Sequence, residues 1–341
     1  MNLPLQAPGL TLPTASPRFI NLYSDVAAQD AQRAGELTEL VAGLMAPQAV
    51  VSPKYFYDAL GSKLFEAITA LDEYYPTRTE AGIFDTVNEE IAAVLADSGV
   101  RHPCLIDLGA GNCAKASRLI PYLQPRQYVP VDISVEFLRD AAEQMQNTFP
   151  ALDIVGIGMD FSAGLVLPDE VQSRDRVFFY PGSSLGNFTP EQALPFLRNI
   201  ADANEGGARG LLLGIDLVKD HATLQAAYDD ALGVTAAFNK NMLLNLNGLL
   251  GSDFDIRQWT HVAVFNAALS RVEMHLESDM AQTVRWPGGE RTFAAGERIH
   301  TECSYKYTVE TMRTLLAQAG FTSVQHWTDD QGWFGVFWAT V

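Results

Sequence analysis

Apolar and polar positions follow two rhythms along the chain, and the change between them falls near residue 104. Before it, residues 27–46 and 57–71 carry apolar side chains at helical spacing. EYYPTRTEAGIF then leads into a further helix through about residue 98, with Pro76 near its start. The N-terminal third is therefore predicted to be wholly helical. From residue 104 short β-rich runs alternate with helical ones: CLIDLG, ASRLIPYL, YVPVDIS, VEFLRDAAEQMQNTF, DIVGIGMDF, RVFFYPG, PEQALPFLRNIADA and GLLLGIDL. That alternation predicts a parallel sheet joined by right-handed crossovers.

After Asp216 the pattern changes again. A helical stretch over roughly residues 221–249 precedes HVAVFN, RVEMHLES, QTVRW, RTF and IHTECSYKY, whose alternation suits an antiparallel sheet. VETMRTLLAQAGF then resumes a helix, and SVQHWT, DDQG and WFGVFWATV read as a hairpin that closes the first sheet with an antiparallel edge. The predicted organisation is an N-terminal arm and helical part of a substrate domain over 1–78, an α/β core over 79–216, an inserted helical and antiparallel-sheet domain over 217–306, and the last helix and hairpin of the core over 307–341.

Composition narrows the class. A chain of 341 residues with 48% hydrophobic content exceeds one compact core and predicts two packed lobes. The net charge of −18 would repel a phosphate backbone, so a nucleic-acid partner is excluded. Cys104, Cys113 and Cys303 form no CxxC pair and no zinc spacing, so neither a disulfide framework nor a metal is expected. His300-x-Glu302 resembles half of a metal site, but no second histidine cluster follows. The proline-broken start MNLPLQAPGLTLPTASPRF is read as a mobile arm, and no apolar run approaches the ~20 residues that span a bilayer. A cytoplasmic monomer with no membrane partner is expected.

The candidate chemistry starts at LIDLGAGNCAK. An apolar strand ends in Asp107, and Gly109 and Gly111 let the backbone turn tightly at a helix start, beside a ligand. Ala114 completes G-x-G-x-x-A, so a nicotinamide-binding turn fits these residues as well, and so does an ordinary strand-to-helix turn. Asp132, about 20 residues on, ends the next strand where a carboxylate takes ribose hydroxyls, a feature shared by both cofactors, although it also suits a helix cap. Asp160 and Phe161 close the third strand; an acid beside an aromatic can bond an adenine amine and pack on its ring. This pair favours S-adenosylmethionine, and the D-x-G-x-G order from Asp107 resembles motif I of class I methyltransferases. A lysine in the first helical turn is usually solvated, yet Lys115 there can also reach that cofactor's methionine carboxylate.

At the fourth strand FFYPGSSLGNF replaces the N/D-P-P-Y/F loop of enzymes that methylate nucleobase or glutamine nitrogens. Gly182 and Gly186 permit close backbone approach, and Asn187 either donates to a carboxylate or caps a turn into TPEQ. FYDALGSKLFEAIT, EYYPTRTEA, LGAGNCAK, PGSSLGNFTP, GIDLVKD, AYDD, GVTAAFNKN, RVEMHLES and TECSYKY together resemble the histidine Nα-methyltransferase family of ergothioneine biosynthesis, over nearly everything after residue 50. The resemblance implies a Rossmann-like, doubly wound α/β methyltransferase with an inserted α+β substrate domain. It also implies free L-histidine, with its mono- and dimethyl intermediates, as substrate, hercynine as product and S-adenosylmethionine as methyl donor.

The resemblance also assigns roles. Tyr57 would orient the amine and Tyr74 would face the imidazole, with the Gly182 backbone close to the amine. Asn187 and Tyr228 would hold the α-carboxylate, Glu302 and Ser304 the imidazole, and Met274 would pack beside the ring. The residues agree in part on their own: Glu302 and Ser304, two apart in a strand, share a face and match an imidazole's polar edge. Taken alone, Met274 suits an apolar core face, Tyr74 and Tyr75 suit packed aromatics, and Tyr228 suits the cover of a helix end. The rivals are a homologue methylating another amino acid or imidazole compound, a nicotinamide-dependent oxidoreductase, and a non-catalytic S-adenosylmethionine-binding regulator.

Overall fold

The structure, a computed structural model, describes residues 16–22, 26–161, 164–203 and 208–341. In chain order its elements begin with β1 (Arg18–Asn21), α1 (Val26–Met45), β2 (Ala49–Val50), α2 (Ala59–Thr69) and α3 (Tyr75–Asp97). The α/β run follows: β3 (Cys104–Leu108), α4 (Ala114–Leu123), β4 (Gln127–Asp132), α5 (Val135–Thr148), β5 (Asp153–Gly158), β6 (Arg176–Tyr180), α6 (Pro190–Asp202) and β7 (Ala208–Asp216). Then come α7 (His221–Ala226), α8 (Val234–Leu250), β8 (Trp259–Asn266), β9 (Arg271–Ser278), β10 (Gln282–Trp286), β11 (Gly289–Phe293) and β12 (Arg298–Tyr305). The last elements are α9 (Val309–Gln318), β13 (Ser323–Thr328) and β14 (Phe334–Thr340).

Among the described residues an eight-stranded sheet runs in the order β1-β5-β4-β3-β6-β7-β14-β13. Its first six strands pair in parallel, and β14 and β13 are antiparallel. Both faces are covered. Leu105, Tyr128, Val177 and Phe179 pack with α3, α4 and α5 residues such as Phe84, Leu119 and Met145. Ile106, Val129, Phe178 and Leu213 pack on the other side with Phe196 of α6 and Met312 of α9. This two-sided burial is why the strands read as continuous apolar runs. The strand order turns back between β3 and β6, the place where an open α/β sheet takes its ligand.

A second sheet runs β2-β12-β9-β8; its strands β8, β9 and β12, with the separate hairpin β10-β11, lie in sequence between β7 and β14, while β2 comes from the N-terminal third. The chain leaves the first sheet after Asp216 and returns at Tyr307, and these two crossings touch: Leu217 bridges Tyr307, and the Val218 N–H donates to the Tyr307 carbonyl at 2.9 Å. α8 packs on this sheet through Phe238, Met242 and Leu246, which join Trp259, Met274, Leu276 and Ile299 in one core. Its first turn is held by Asp230, which accepts from the Val234 and Thr235 amides at 2.9 and 2.7 Å. That cap and the turn before it split the expected continuous helix of 221–249 into α7 and α8.

The N-terminal third is not wholly helical. β1 adds an edge strand beside β5, and β2 pairs in parallel with β12 through Ala49 and Val50. Both strands are too short to show a period of two, which is why helical spacing dominated the reading. Part of the expected arm thus belongs to the core sheet, while residues 1–15 lie outside the described residues.

Candidate active site

The turn after β3 is made by the two glycines. Gly109 and Gly111 have φ of +71° and +53°, and the amides of Gly109 and Ala110 both donate to the Val131 carbonyl, at 2.9 and 3.1 Å. Cys113, also left-handed at φ +59°, sets the start of α4 with its thiol fully buried. Asp132 sits at the end of β4 and accepts from Gly111 N–H through Oδ2 and from Ser134 N–H through Oδ1, both at 2.9 Å. One lone pair on each oxygen remains for a diol. Asp160 and Phe161 follow two residues past the end of β5 instead of closing it. Phe161 lies across the glycine turn, its ring edge 3.8 Å from where a Gly109 Cβ would stand. Lys54 approaches Asp160 to 3.8 Å. Gly109, Gly111, Asp132, Asp160 and Phe161 therefore gather at neighbouring strand ends, and the bare glycine edge facing an aromatic ring and a carboxylate fits a nucleoside.

Lys115 makes a link the sequence did not announce. Its ammonium lies 2.7 Å from Oε2 of Glu80, a side chain only 1% exposed. Glu80 Oε1 accepts from the Gly182 N–H at 2.7 Å. Glu80 fits because residue 214 is glycine; a Cβ there would stand 1.9 Å from Oε1. Gly182, at φ +77°, is likewise backed against the Lys115 ammonium, 2.6 Å from the place of a Cβ. One buried carboxylate thus ties the cofactor helix to the substrate turn. Since Glu80 occupies the Gly182 amide, what that residue offers an amine is its carbonyl.

All eight substrate-facing residues named from sequence, Tyr57, Tyr74, Gly182, Asn187, Tyr228, Met274, Glu302 and Ser304, line one cavity. Glu302 and Met274 are register partners across β12 and β9. Tyr57 stands edge-on to Phe65 and Phe238, and Tyr74 edge-on to Tyr228 at 6.2 Å between centroids. Burial pushes the Glu302 carboxyl up to about 7, against the pull of the Lys306 ammonium and a hydrogen bond from Asn187. Burial, then the Glu302 and Asp132 carboxylates, hold the Tyr57 phenol well above its ordinary range. Tyr57 therefore stays protonated at neutral pH, and its nearness to Asp132 puts it where the two halves of the site meet.

The family profile described as histidine-specific, S-adenosylmethionine-dependent methyltransferases matches residues 36–341. The chain belongs to that family. It is 41% identical to a histidine N-alpha-methyltransferase of Mycolicibacterium smegmatis, covering 92% of this chain and 96% of the relative. It is 38% identical to the protein of the same name from Mycobacterium tuberculosis, over 90% and 95% of the two chains. A Neurospora crassa protein named Ergothioneine biosynthesis protein 1 is 28% identical, over 80% of this chain and 31% of that one. Membership makes the protein an S-adenosylmethionine-dependent methyltransferase on a class I α/β fold and sets aside the nicotinamide reading of the glycine turn.

Within this methyltransferase site, sequence reasoning passed over the charges behind the cavity wall. Asp216, fully buried at the end of β7, accepts from the Tyr75 hydroxyl at 2.7 and 2.9 Å and pairs with Lys306 at 2.8 Å and with Lys219. Burial lowers the Lys219 ammonium to about 8. Asp216 and Lys306 stood inside the quoted strings GIDLVKD and TECSYKY, but nothing in spacing alone says that residues 90 positions apart share a charge. Among the described residues no group of three or more His, Cys, Asp and Glu side chains is arranged for a metal, and no helix is long and apolar enough to cross a membrane.

Proposed function

We propose that the protein transfers methyl groups from S-adenosylmethionine to the α-amino group of L-histidine, up to three times, giving hercynine in ergothioneine biosynthesis. The observation that carries this reading is the convergence of eight side chains and backbone groups, from Tyr57 to Ser304, on one cavity with a buried carboxylate in its wall. A buried Glu302 favours an imidazole N–H over the side chain of phenylalanine or leucine, which would leave the charge unpaired. The names of the bacterial and fungal relatives agree with this substrate and pathway.

When bound, S-adenosylmethionine supplies a sulfonium methyl group for in-line displacement, which asks the enzyme mainly for alignment. Asp132 holds the ribose, Asp160 and Phe161 the adenine, and Lys115, steadied by Glu80, the methionine carboxylate. Asn187 and Tyr228 hold the substrate carboxylate. The Gly182 carbonyl and the Tyr57 oxygen accept from the amine and aim its lone pair. Tyr57 is too weak an acid to act as a base at neutral pH, so it orients while water carries the amine protons away.

Incubating the protein with S-adenosylmethionine and a pool of free amino acids, followed by mass spectrometry, tests the reading. The expected result is mass gain of one to three methyl groups on histidine. Methylation of another amino acid with histidine untouched overturns it.

A further inference from the structure

Tyr228 is tied down at both ends. Its hydroxyl stands 2.9 Å from Ser304 Oγ on β12. Its backbone is tied to a different strand, because the Tyr228 carbonyl lies 2.9 Å from Nε2 of His261 on β8. The Tyr228 N–H still closes the last turn of α7, on the Gln225 carbonyl at 3.0 Å. Its carbonyl lies past that turn, where a helix end leaves acceptors without partners of its own. His261 reaches it because HVAVFN alternates: His261 and Ala263 turn to the face that α8 covers, as do their register partners Leu276 and Met274 on β9.

The third member of the chain is Asn239, fully buried on α8. Its side-chain nitrogen lies 3.0 Å from the His275 backbone carbonyl and 2.8 Å from His261 Nδ1. A carbonyl oxygen only accepts, so the amide turns its NH2, not its oxygen, to His275. That nitrogen carries two hydrogens and no free lone pair, so its second hydrogen goes to His261 Nδ1, which must be bare. The ring hydrogen then sits on Nε2, where the Tyr228 carbonyl takes it. Each bond fixes the polarity of the next, from β9 through α8 and β8 to Tyr228. Burial lowers the His261 pKa below the ordinary histidine value, with Lys240 acting in the same direction and the Tyr228 carbonyl, Asp229 and Asp230 against it.

We infer that His261, its tautomer set by Asn239, is a positioning residue that anchors the Tyr228 backbone so that the Tyr228 hydroxyl meets the carboxylate of the substrate. The inference rests on the proposed function, in which Tyr228 holds that carboxylate. Among the described residues His261 lies outside the cavity lining, so it acts only through the tyrosine. The phenol oxygen stands at the far end of a rigid side chain, and a hydrogen bond tolerates a spread of only about 0.5 Å. A tilt of the backbone therefore takes the hydroxyl out of reach.

Two substitutions separate polarity from shape. His261→Phe keeps a ring and removes both hydrogen bonds. His261→Gln keeps one donor for the Tyr228 carbonyl and one acceptor for Asn239. With S-adenosylhomocysteine bound, calorimetry is expected to show L-histidine affinity down about tenfold in the Phe variant and within about threefold of wild type in the Gln variant, the scale of one hydrogen bond lost or kept. S-adenosylhomocysteine affinity should stay within about twofold in both, since no cofactor contact is touched. In a Tyr228→Phe background His261→Phe should cost little further histidine affinity, because the hydroxyl it places is gone, yet lower the urea midpoint as much as before. Equal affinity losses in the two backgrounds mean packing alone and overturn the inference. So does a Gln variant no better than the Phe variant, or a Tyr228→Phe variant that binds histidine as wild type does.

If His261→Phe does not fold, His261→Asn takes its place in the same comparison: the shorter amide accepts from Asn239 and falls short of Tyr228. The wild type supplies a second check. With ring-15N histidine incorporated into the protein, the signal that His261→Gln removes should show a hydrogen on Nε2 and a bare Nδ1 at neutral pH. A hydrogen on Nδ1 overturns the inference. Absence of any histidine binding by the wild type is a different result, which overturns the substrate and this role with it.

Discussion

The two ends of the active site are made of different material. At the cofactor end everything lies between Asp107 and Phe161, and the parts hold one another through the backbone: Gly111 and Ser134 amides on the Asp132 carboxylate, Gly109 and Ala110 amides on the Val131 carbonyl. At the substrate end Tyr57, Asn187, Tyr228 and Glu302 come from distant stretches, and the wall is held by side chains: Asn187 on Glu302, Tyr228 on Ser304, Lys306 on both hydroxyls and on Asp216. A backbone-built site depends on where strands end and where a Cβ is missing. A site built from side chains depends on charge balance.

The largest effect expected is a reciprocal one. Glu302→Ala should weaken histidine roughly 100-fold by deleting a charged hydrogen bond, and leave S-adenosylhomocysteine affinity nearly unchanged. Asp132→Ala should do the reverse on the same scale, because it removes both acceptors for a diol and unpins the Gly111 turn. Calorimetry with each ligand checks both. Loss of both ligands in either variant would mean that the two ends are one unit.

Gly214→Ala strikes the point where the ends join. The new methyl would stand 1.9 Å from Glu80 Oε1, so Glu80 must give up its place between Lys115 and Gly182. Overpacking of this kind costs about 2 kcal/mol, read as a lower urea midpoint. Unlike the previous pair, this change should weaken both ligands together. If only one weakens, Glu80 serves that end alone.

A further effect separates the ends by pH. Glu302 ionises near 7 in the folded chain against its ordinary 4.5, so the folded state holds an extra proton between those values. Stability from this group is full below about 4.5, falls as pH rises through the window and is lost above 7. Glu302→Gln removes that loss, so the ligand-free variant should gain ~3 kcal/mol relative to wild type on going from pH 4.5 to pH 8, at about 1.4 kcal/mol for each pH unit of the window. An equal difference at both pH values, in urea unfolding, would mean that Glu302 carries no burial cost.

How far each end could be read from sequence follows from the same contrast. The glycine turn, Asp132 and the Asp160-Phe161 pair were legible because strand ends and missing side chains leave local marks at regular spacing. Glu302 and Ser304 were legible as a same-face pair, but Tyr57 and Tyr228 carried meaning only through the family resemblance, since an isolated tyrosine looks like core. Glu80 was invisible: in the helical pattern of α3 it reads as a solvated acid, yet it is 1% exposed. Lys306 looked like the end of a strand. Burial of a charge is a tertiary fact, decided by Gly214 and Asp216, which lie far along the chain. β1 and β2 were missed because two to four residues show no period, and their partners β5 and β12 lie more than 100 residues away.

The smallest effect concerns β1. Phe19 stands opposite Gly156, which has no side chain because the Phe19 ring fills that space, 2.8 Å from where a Cβ would be. The Arg139 guanidinium covers the same ring at 4.4 Å. Phe19→Ala removes a half-buried aromatic and a cation–π contact, so about 1 kcal/mol of stability is expected to go. The strand runs beside β5 as far as Asn21 opposite Gly158, two residues short of Asp160. If β1 is only an edge cover, the affinities for S-adenosylhomocysteine and histidine both stay within about twofold in this variant, by the independence of distant sites. A selective loss of cofactor affinity would instead make β1 part of the adenine wall, and the cofactor end would then no longer be confined to one contiguous stretch of backbone.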